Sequence, residues 1–141
     1  MPHATHLLDT SALLAHYFDE PGAAEVDAIW QNSENKPAIC VLSIPELRTR
    51  IQAEVQDTAE VDRVMEQYVN HLTISLPVDR PAAEEAALLR ESATSRLPLV
   101  DACIAGCAKR FECVLVHRDP HMDHIPAKTV KQMRLPDKIE A

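Results

Sequence analysis

The sequence contains only two glycines and four cysteines among 141 residues, and it has no long hydrophobic run. So few glycines argue against a glycine-rich phosphate loop and against an all-β fold with many turns, and neither GxGxxG nor a Walker-type motif is present. The cysteines form no CxxC pair and stand among apolar residues, which predicts reduced core thiols and a cytoplasmic protein. Because His3 and His6 interrupt the first apolar residues, we expect neither a signal peptide nor a membrane span.

Positive charge is also scarce, since 14 Lys and Arg stand against 22 Asp and Glu for a formal net charge of -8 at pH 7. A protein that coats nucleic acid through electrostatics alone is usually basic, so this balance argues against an architectural role. It does not exclude an enzyme that meets phosphate groups through bound cations. Hydrophobic residues make up 46% and charged residues 26%, which is typical of a globular domain.

The hydrophobic pattern predicts strands that alternate with helices along one domain covering residues 1–141. We predict strands at 5–9, 38–42, 72–76, 113–116 and 129–133, and helices at 11–18, 23–34, 43–55, 58–70, 80–95 and 99–110. No hairpin signal joins the strands, so we expect an α/β fold, a three-layer α/β/α sandwich with a mainly parallel central sheet. The tail from about residue 136 is predicted to be loose.

Residues 6–16 predict a buried strand that leads directly into a helix, with Asp9 at the junction. In open α/β sheets, ligands bind at the carboxyl ends of the strands, where such junctions lie. Three further acids stand at the start of a helix or just after a strand: Glu46, Asp101 and Asp119.

Each of these acids, taken singly, also fits an ordinary structural role. Asp9 and Asp119 could be helix N-caps. Ser43 followed by Glu46 is a capping-box pattern, and Asp101 would interact favourably with a helix dipole.

Taken together, the four acids indicate a cation site at one edge of the sheet. Carboxylates within ~6 Å of one another raise each other's pKa and disfavour folding unless a cation neutralises them. A ligand set made only of oxygen suits Mg²⁺ or Mn²⁺ rather than zinc. Such a site matches metal-assisted attack of water on a phosphodiester bond.

The sequence around the acids resembles the four motifs of PIN-domain ribonucleases, above all the VapC toxins of bacterial and archaeal toxin–antitoxin pairs. The segments concerned are Asp9-Thr10-Ser11, Glu46 at a helix start, Leu-Val-Asp-Ala-Cys-Ile-Ala at 99–105 and Leu-Val-His-Arg-Asp at 115–119. They span nearly the whole chain in the order and spacing of the family. The resemblance implies a parallel sheet flanked by helices, a Mg²⁺- or Mn²⁺-dependent endoribonuclease acting on RNA, a homodimer, and inhibition by a cognate antitoxin protein.

By the same resemblance, Asp9, Glu46, Asp101 and Asp119 form the acidic, metal-binding and catalytic site. Ser11 would hydrogen-bond within this site or help to hold the substrate.

The fourth motif departs from the family pattern in its histidines and in its end. His117 stands where Thr or Ser is common, and His121-Met122 replace the usual acidic-aromatic end. The fourth acid is the most variable of the set, so Asp123 is an alternative to Asp119. With His124, the segment holds three histidines, which fit either a transition-metal or proton-transfer role or simply a polar loop.

Several basic residues are candidates for contacts with RNA phosphates, with solvated helix surface as the ordinary alternative for each. They are Arg48, Arg50, Lys109, Arg110 and Arg118, of which Arg48 and Arg118 join Ser11 as predicted substrate contacts. Trp30, Tyr17 and Phe18 are better explained as core or dimer contacts than as base-stacking platforms.

Two other functions stay open from the sequence. One is a catalytically weak PIN-fold module whose role is to bind a protein partner. The other is a phosphatase with Asp9 as nucleophile, which is disfavoured because Ser11 stands where phosphatases of the haloacid-dehalogenase type carry a second acid.

Overall fold

A computed structural model describes residues 3–139 and shows five strands in one sheet, in the order β3-β2-β1-β4-β5, with every neighbouring pair parallel. The strands are β1 (His6–Leu8), β2 (Pro37–Cys40), β3 (Ile74–Leu76), β4 (Val114–His117) and β5 (Gln132–Arg134). The α-helices are α1 (Thr10–Tyr17), α2 (Ala23–Gln31), α3 (Ser43–Val55), α4 (Thr58–Met65), α5 (Arg80–Ser92) and α6 (Leu99–Arg110). A π-helical turn (Glu66–His71) follows α4, and a 3₁₀ turn (Met122–His124) follows β4.

Two hydrophobic clusters lie on opposite faces of the sheet because successive strand residues point to opposite sides. Leu7 and Leu115 pack with α5 and α6 on one face. Leu8 and Val116 pack with α1, α2, α3 and α4 on the other face. The predicted three-layer α/β/α sandwich with a parallel sheet is therefore confirmed.

Helix α6 packs unusually close to α5 at its single glycine. A Cβ atom at Gly106 would lie 2.5 Å from the carbonyl oxygen of Ala82 and 2.8 Å from the backbone nitrogen of Ala86. Only a residue without a side chain fits such a backbone approach. This packing fixes α6, whose first turn carries Asp101, against α5.

The centre of the sheet is a topological switch point. β1 has β2 on one side and β4 on the other, and Leu8 pairs in register with Val116. The chain leaves β1 through Asp9, whose N–H donates to the carbonyl of Val116 at 3.1 Å. In open α/β sheets the crevice at the switch point is the usual place of ligand binding.

All predicted elements occur, with differences at their ends. The helix predicted at 58–70 divides into α4 and the π-helical turn. Because the Leu72 N–H still donates to the Gln67 carbonyl, the strand predicted from 72 begins only at Ile74. The strand predicted at 129–133 occupies Gln132–Arg134, since Thr129 bonds back to Pro126 in a turn. Helices predicted to reach 34 and 95 end at Gln31 and Ser92.

The cysteines and aromatic residues have the structural roles that the sequence predicts. All four cysteines are free, and three of them are buried. Trp30 donates through Nε1 to the Leu72 carbonyl at 2.7 Å, and Tyr17 and Phe18 pack against the core. Within residues 3–139, no helix is long and apolar enough to span a membrane.

Candidate active site

Asp9 caps α1 and is also the most deeply buried acid of the site, with 3% of its surface exposed. Its Oδ1 atom accepts the Ala12 amide at 2.9 Å and the Ser11 hydroxyl at 2.6 Å. The pKa of Asp9 is raised to about 7, chiefly by burial and also by the Asp119 and Asp101 carboxylates, while the two hydrogen bonds act to lower it. In residues 3–139 no donor reaches Oδ2, so the capping role leaves one oxygen of Asp9 available.

Ser11 connects the first and fourth motifs. Its hydroxyl accepts the Arg118 amide N–H at 3.0 Å and donates to Asp9. The bond from Arg118 ties the chain after β4 to the first turn of α1, and the bond to Asp9 orients that carboxylate at the carboxyl ends of β1 and β4.

Glu46 does not form the predicted capping box, and that interpretation is wrong. Leu42 occupies the N-cap position of α3, and the buried Ser43 hydroxyl has no hydrogen-bond partner among the described residues. Glu46 instead accepts the Thr10 hydroxyl on Oε1 at 2.6 Å. This bond turns the Glu46 carboxylate toward the helix that Asp9 caps.

Asp101 and Asp119 lie side by side, with 14% and 22% of their side chains exposed. The pKa of Asp101 is raised to about 7, chiefly by burial and also by the carboxylates of Asp119 and Glu46. Asp119 accepts the His121 amide on Oδ1 at 2.9 Å and so caps a turn. It is not a helix N-cap, because the 3₁₀ turn begins only at Met122.

His121 completes this cluster. Its Nδ1 atom lies 3.5 Å from Asp101 Oδ2 and 3.4 Å from Asp119 Oδ1. One donor atom from each of the three residues lies within 4.8 Å of the others, a separation that fits a shared metal ion. The four predicted acids and His121 all line one cleft of about 1060 Å³.

The other polar residues of the fourth motif point elsewhere. Asp123 is paired with Arg134 at 3.0 Å and does not line the cleft, so Asp119 is the acid that lies beside Asp101. His117 is completely buried in β4, and His124 bonds through Nδ1 to a backbone carbonyl.

The two arginines predicted as substrate contacts differ in their positions. Arg118 lines the cleft, but its side chain is 9% exposed and its guanidinium forms a salt bridge with Glu20. Arg48 pairs with Asp62 at 2.9 Å across α3 and α4 and does not line the cleft.

Two other basic side chains line the cleft; the sequence indicated Arg50 as a candidate for phosphate contact but did not indicate Lys138. Arg50 lines the cleft from α3, and Lys138 lines it from the segment after β5. Lys138 Nζ is also 3.3 Å from Glu20 Oε2. No periodic pattern marks residue 138, so only the folded chain could reveal this position. Lys109 and Arg110 line a separate surface groove beside α5.

Comparison with known proteins identifies the class. The family model of the PIN domain matches residues 6–128, so the chain belongs to the PIN domain family. The comparison with curated proteins gave no match.

Solved structures give the same fold. They include DNA-bound VapBC from Salmonella typhimurium, with a TM-score of 0.76 and 18% identity over 93% of this chain and 98% of that chain. VapBC2 from Rickettsia felis bound to promoter DNA has a TM-score of 0.74 and 14% identity over 94% and 99%. VapBC-5 from Mycobacterium tuberculosis has a TM-score of 0.68 and 26% identity over 94% and 99%. These similarities confirm the resemblance to VapC-type PIN toxins. PIN domains are typically nucleases that use divalent metals.

Proposed function

We propose that this protein is a metal-dependent endoribonuclease that acts as the toxin of a VapBC-type toxin–antitoxin pair. The observation that carries the proposal is that Asp9, Glu46, Asp101 and Asp119 line one cleft at the switch point of the sheet. The PIN family assignment supports a nuclease, and the VapBC likenesses support the toxin role.

The donor set fits Mg²⁺ or Mn²⁺. Carboxylate oxygens are the ligands that these ions prefer. Burial, and then the neighbouring carboxylates, raise the pKa of Asp9 and of Asp101 to about 7, so negative charge at this cluster is costly without a cation. A divalent ion held by Asp9, Asp101 and Asp119 would compensate that charge.

The protein residues around the cleft hold the reacting groups in place. Ser11 and the Ala12 amide orient Asp9, and Thr10 orients Glu46. Glu46 Oε2 has no donor among the described residues, so it is free to accept a proton from the attacking water. A bound divalent cation supplies Lewis-acid stabilisation of the phosphate and of the leaving oxygen.

RNA phosphates would approach this acidic protein through the few basic side chains at the cleft. Arg50 and Lys138 are the basic residues we assign to phosphate contacts, because they line the cleft from opposite chain segments. Both Arg118 and Lys138 pair with Glu20, but the Arg118 side chain is 9% exposed and that of Lys138 is 63% exposed, so we assign the charge of Arg118 to positioning the loop after β4.

The proposed partners follow from the similar structures. VapBC complexes support a cognate antitoxin for this chain. We also propose that the protein is a cytoplasmic homodimer.

Cleavage of a structured RNA with Mg²⁺ or Mn²⁺ tests the activity. Asp9→Asn and Asp101→Asn should each lose cleavage, since each removes one negative ligand while Asn keeps the side-chain shape. Asp123→Asn is the matched control and should retain activity, because Asp123 faces Arg134 outside the cleft. Full activity in both site variants, or cleavage that survives EDTA, would contradict the proposal. A protein that neither binds divalent ions nor cleaves RNA would instead be the PIN-fold binding module.

A further inference from the structure

A nitrogen atom belongs to the carboxylate cluster. His121 Nδ1 lies 3.5 Å from Asp101 Oδ2 and 3.4 Å from Asp119 Oδ1, and the three donor atoms fall within 4.8 Å of one another. Asp119 also accepts the backbone N–H of His121 at 2.9 Å, so the turn itself holds the ring beside the two acids.

Among the three histidines after residue 116, only His121 lines the cleft. His117 has both ring nitrogens engaged, one with Gln132 Oε1 and one with the amide of Asp119. His124 Nδ1 bonds to the carbonyl of Arg96. The ring of His121 is therefore the one imidazole of this segment that faces the acids.

Asp9 lies in the same cleft and has one carboxylate oxygen available. The residue is 3% exposed, and within residues 3–139 no hydrogen-bond donor reaches its Oδ2 atom. This oxygen can therefore contact a ligand in the cleft. The same cleft thus contains carboxylate oxygens and an imidazole nitrogen as potential metal donors.

The type of donor determines which ion binds best. Mg²⁺ prefers oxygen ligands and keeps several of its waters. Imidazole nitrogen suits first-row transition ions, whose affinities for nitrogen and oxygen sites rise from Mn²⁺ through Co²⁺ to Cu²⁺. Replacing an oxygen donor by the His121 ring therefore favours a transition ion over Mg²⁺.

We propose that His121 Nδ1 is a ligand of the active-site cation, together with Asp101 and Asp119, and that it makes the site select Mn²⁺ over Mg²⁺. The inference rests on the proposed function, in which these acids hold a divalent ion. Neighbouring ligands of an octahedral ion with bonds of about 2.1 Å lie roughly 3 Å apart, so a small approach of the ring suffices. The His121 side chain is 50% exposed and has room for that movement.

Binding of each metal alone to the full-length, metal-free protein tests this inference. Mn²⁺ and Mg²⁺ are titrated separately by calorimetry into the wild type, His121→Ala and the control His124→Ala. His121→Ala should raise the Kd for Mn²⁺ about tenfold or more while leaving the Kd for Mg²⁺ nearly unchanged. His124→Ala should change neither constant, since that ring bonds outside the cleft.

Pulsed electron paramagnetic resonance of bound Mn²⁺ gives a second readout, and its main measurement is made on the wild type. The wild type should show coupling to a directly bound nitrogen, and His121→Ala should lose it. Mn²⁺ that binds without nitrogen coupling, or equal losses of Mn²⁺ and Mg²⁺ affinity in His121→Ala, would overturn this inference and leave the carboxylate site intact. A wild type that binds neither ion would contradict the proposed function as well.

Discussion

The Nδ1 atom of His117 accepts the backbone N–H of Asp119 at 3.1 Å. Since Nδ1 accepts, the ring proton is on Nε2, which donates to Gln132 Oε1 at 2.9 Å. Burial lowers the pKa of His117 and outweighs the opposing effect of the hydrogen bond to Gln132, so the neutral ring is favoured. A histidine that the sequence associated with metal binding or proton transfer therefore positions the fourth acid of the site.

Replacing His117 should affect the active site more than replacing its hydrogen-bond partner Gln132 does. We expect His117→Leu and Gln132→Leu each to lower the free energy of unfolding by about 1–3 kcal/mol, because each leaves a buried polar group unpaired. Only His117→Leu removes the acceptor of the Asp119 amide, so it should slow single-turnover RNA cleavage more than Gln132→Leu. Urea unfolding and cleavage rates measured on both variants check this. Equal cleavage rates at equal stability would show that His117 does not position Asp119.

The salt bridge between Arg118 and Glu20 should be important for stability. Burial acts to raise the pKa of Glu20, but hydrogen bonds from Arg118 and Lys138 lower it below its ordinary value. The two side chains are 9% and 20% exposed and Lys138 still faces Glu20, so Arg118→Met should cost about 2 kcal/mol, between a surface pair and a buried pair. Arg134→Met is the matched control.

Arg134 pairs with Asp123 in a more exposed setting, with 32% and 42% of the two side chains accessible. Its replacement should cost below about 1 kcal/mol, as is usual for surface pairs. Denaturant unfolding of both variants gives the comparison. If the two losses were the same, the Arg118 salt bridge would have no special part in holding the loop after β4.

Stability without metal should depend on pH through Asp9. An unfolded aspartate ionises near pH 4, whereas burial raises the pKa of Asp9 to about 7 in the folded protein. Between these values the folded state binds more protons than the unfolded state, so stability falls as pH rises from 4 to 7. Asp9→Asn retains an oxygen for the Ala12 and Ser11 bonds but cannot titrate.

Unfolding free energies of the two proteins in EDTA at pH 4 and pH 8 check this dependence. Relative to Asp9→Asn, the wild type should lose on the order of 3 kcal/mol over that range. Added Mn²⁺ at pH 8 should increase the free energy of unfolding of the wild type more than that of the variant. An identical pH dependence of both proteins would mean that burial does not raise the pKa of Asp9.

The sequence predicted the fold and the positions of the acids because both depend on local pattern. The apolar run before Asp9 and the helical spacing after Leu99 place these residues by periodicity alone. The partners of the polar groups could not be predicted in the same way. Thr10 binds Glu46, which is 36 residues distant, and His117 is buried by β5 rather than exposed in a loop. Such pairings depend on how distant segments pack.

Anomalous diffraction from crystals soaked in Mn²⁺ tests most directly whether the four acids form a cation site. We expect a manganese peak in the cleft, in contact with Asp9, Asp101 and Asp119, that disappears in Asp101→Asn. Absence of a peak there at saturating Mn²⁺, or a peak only at another place on the protein, would contradict it.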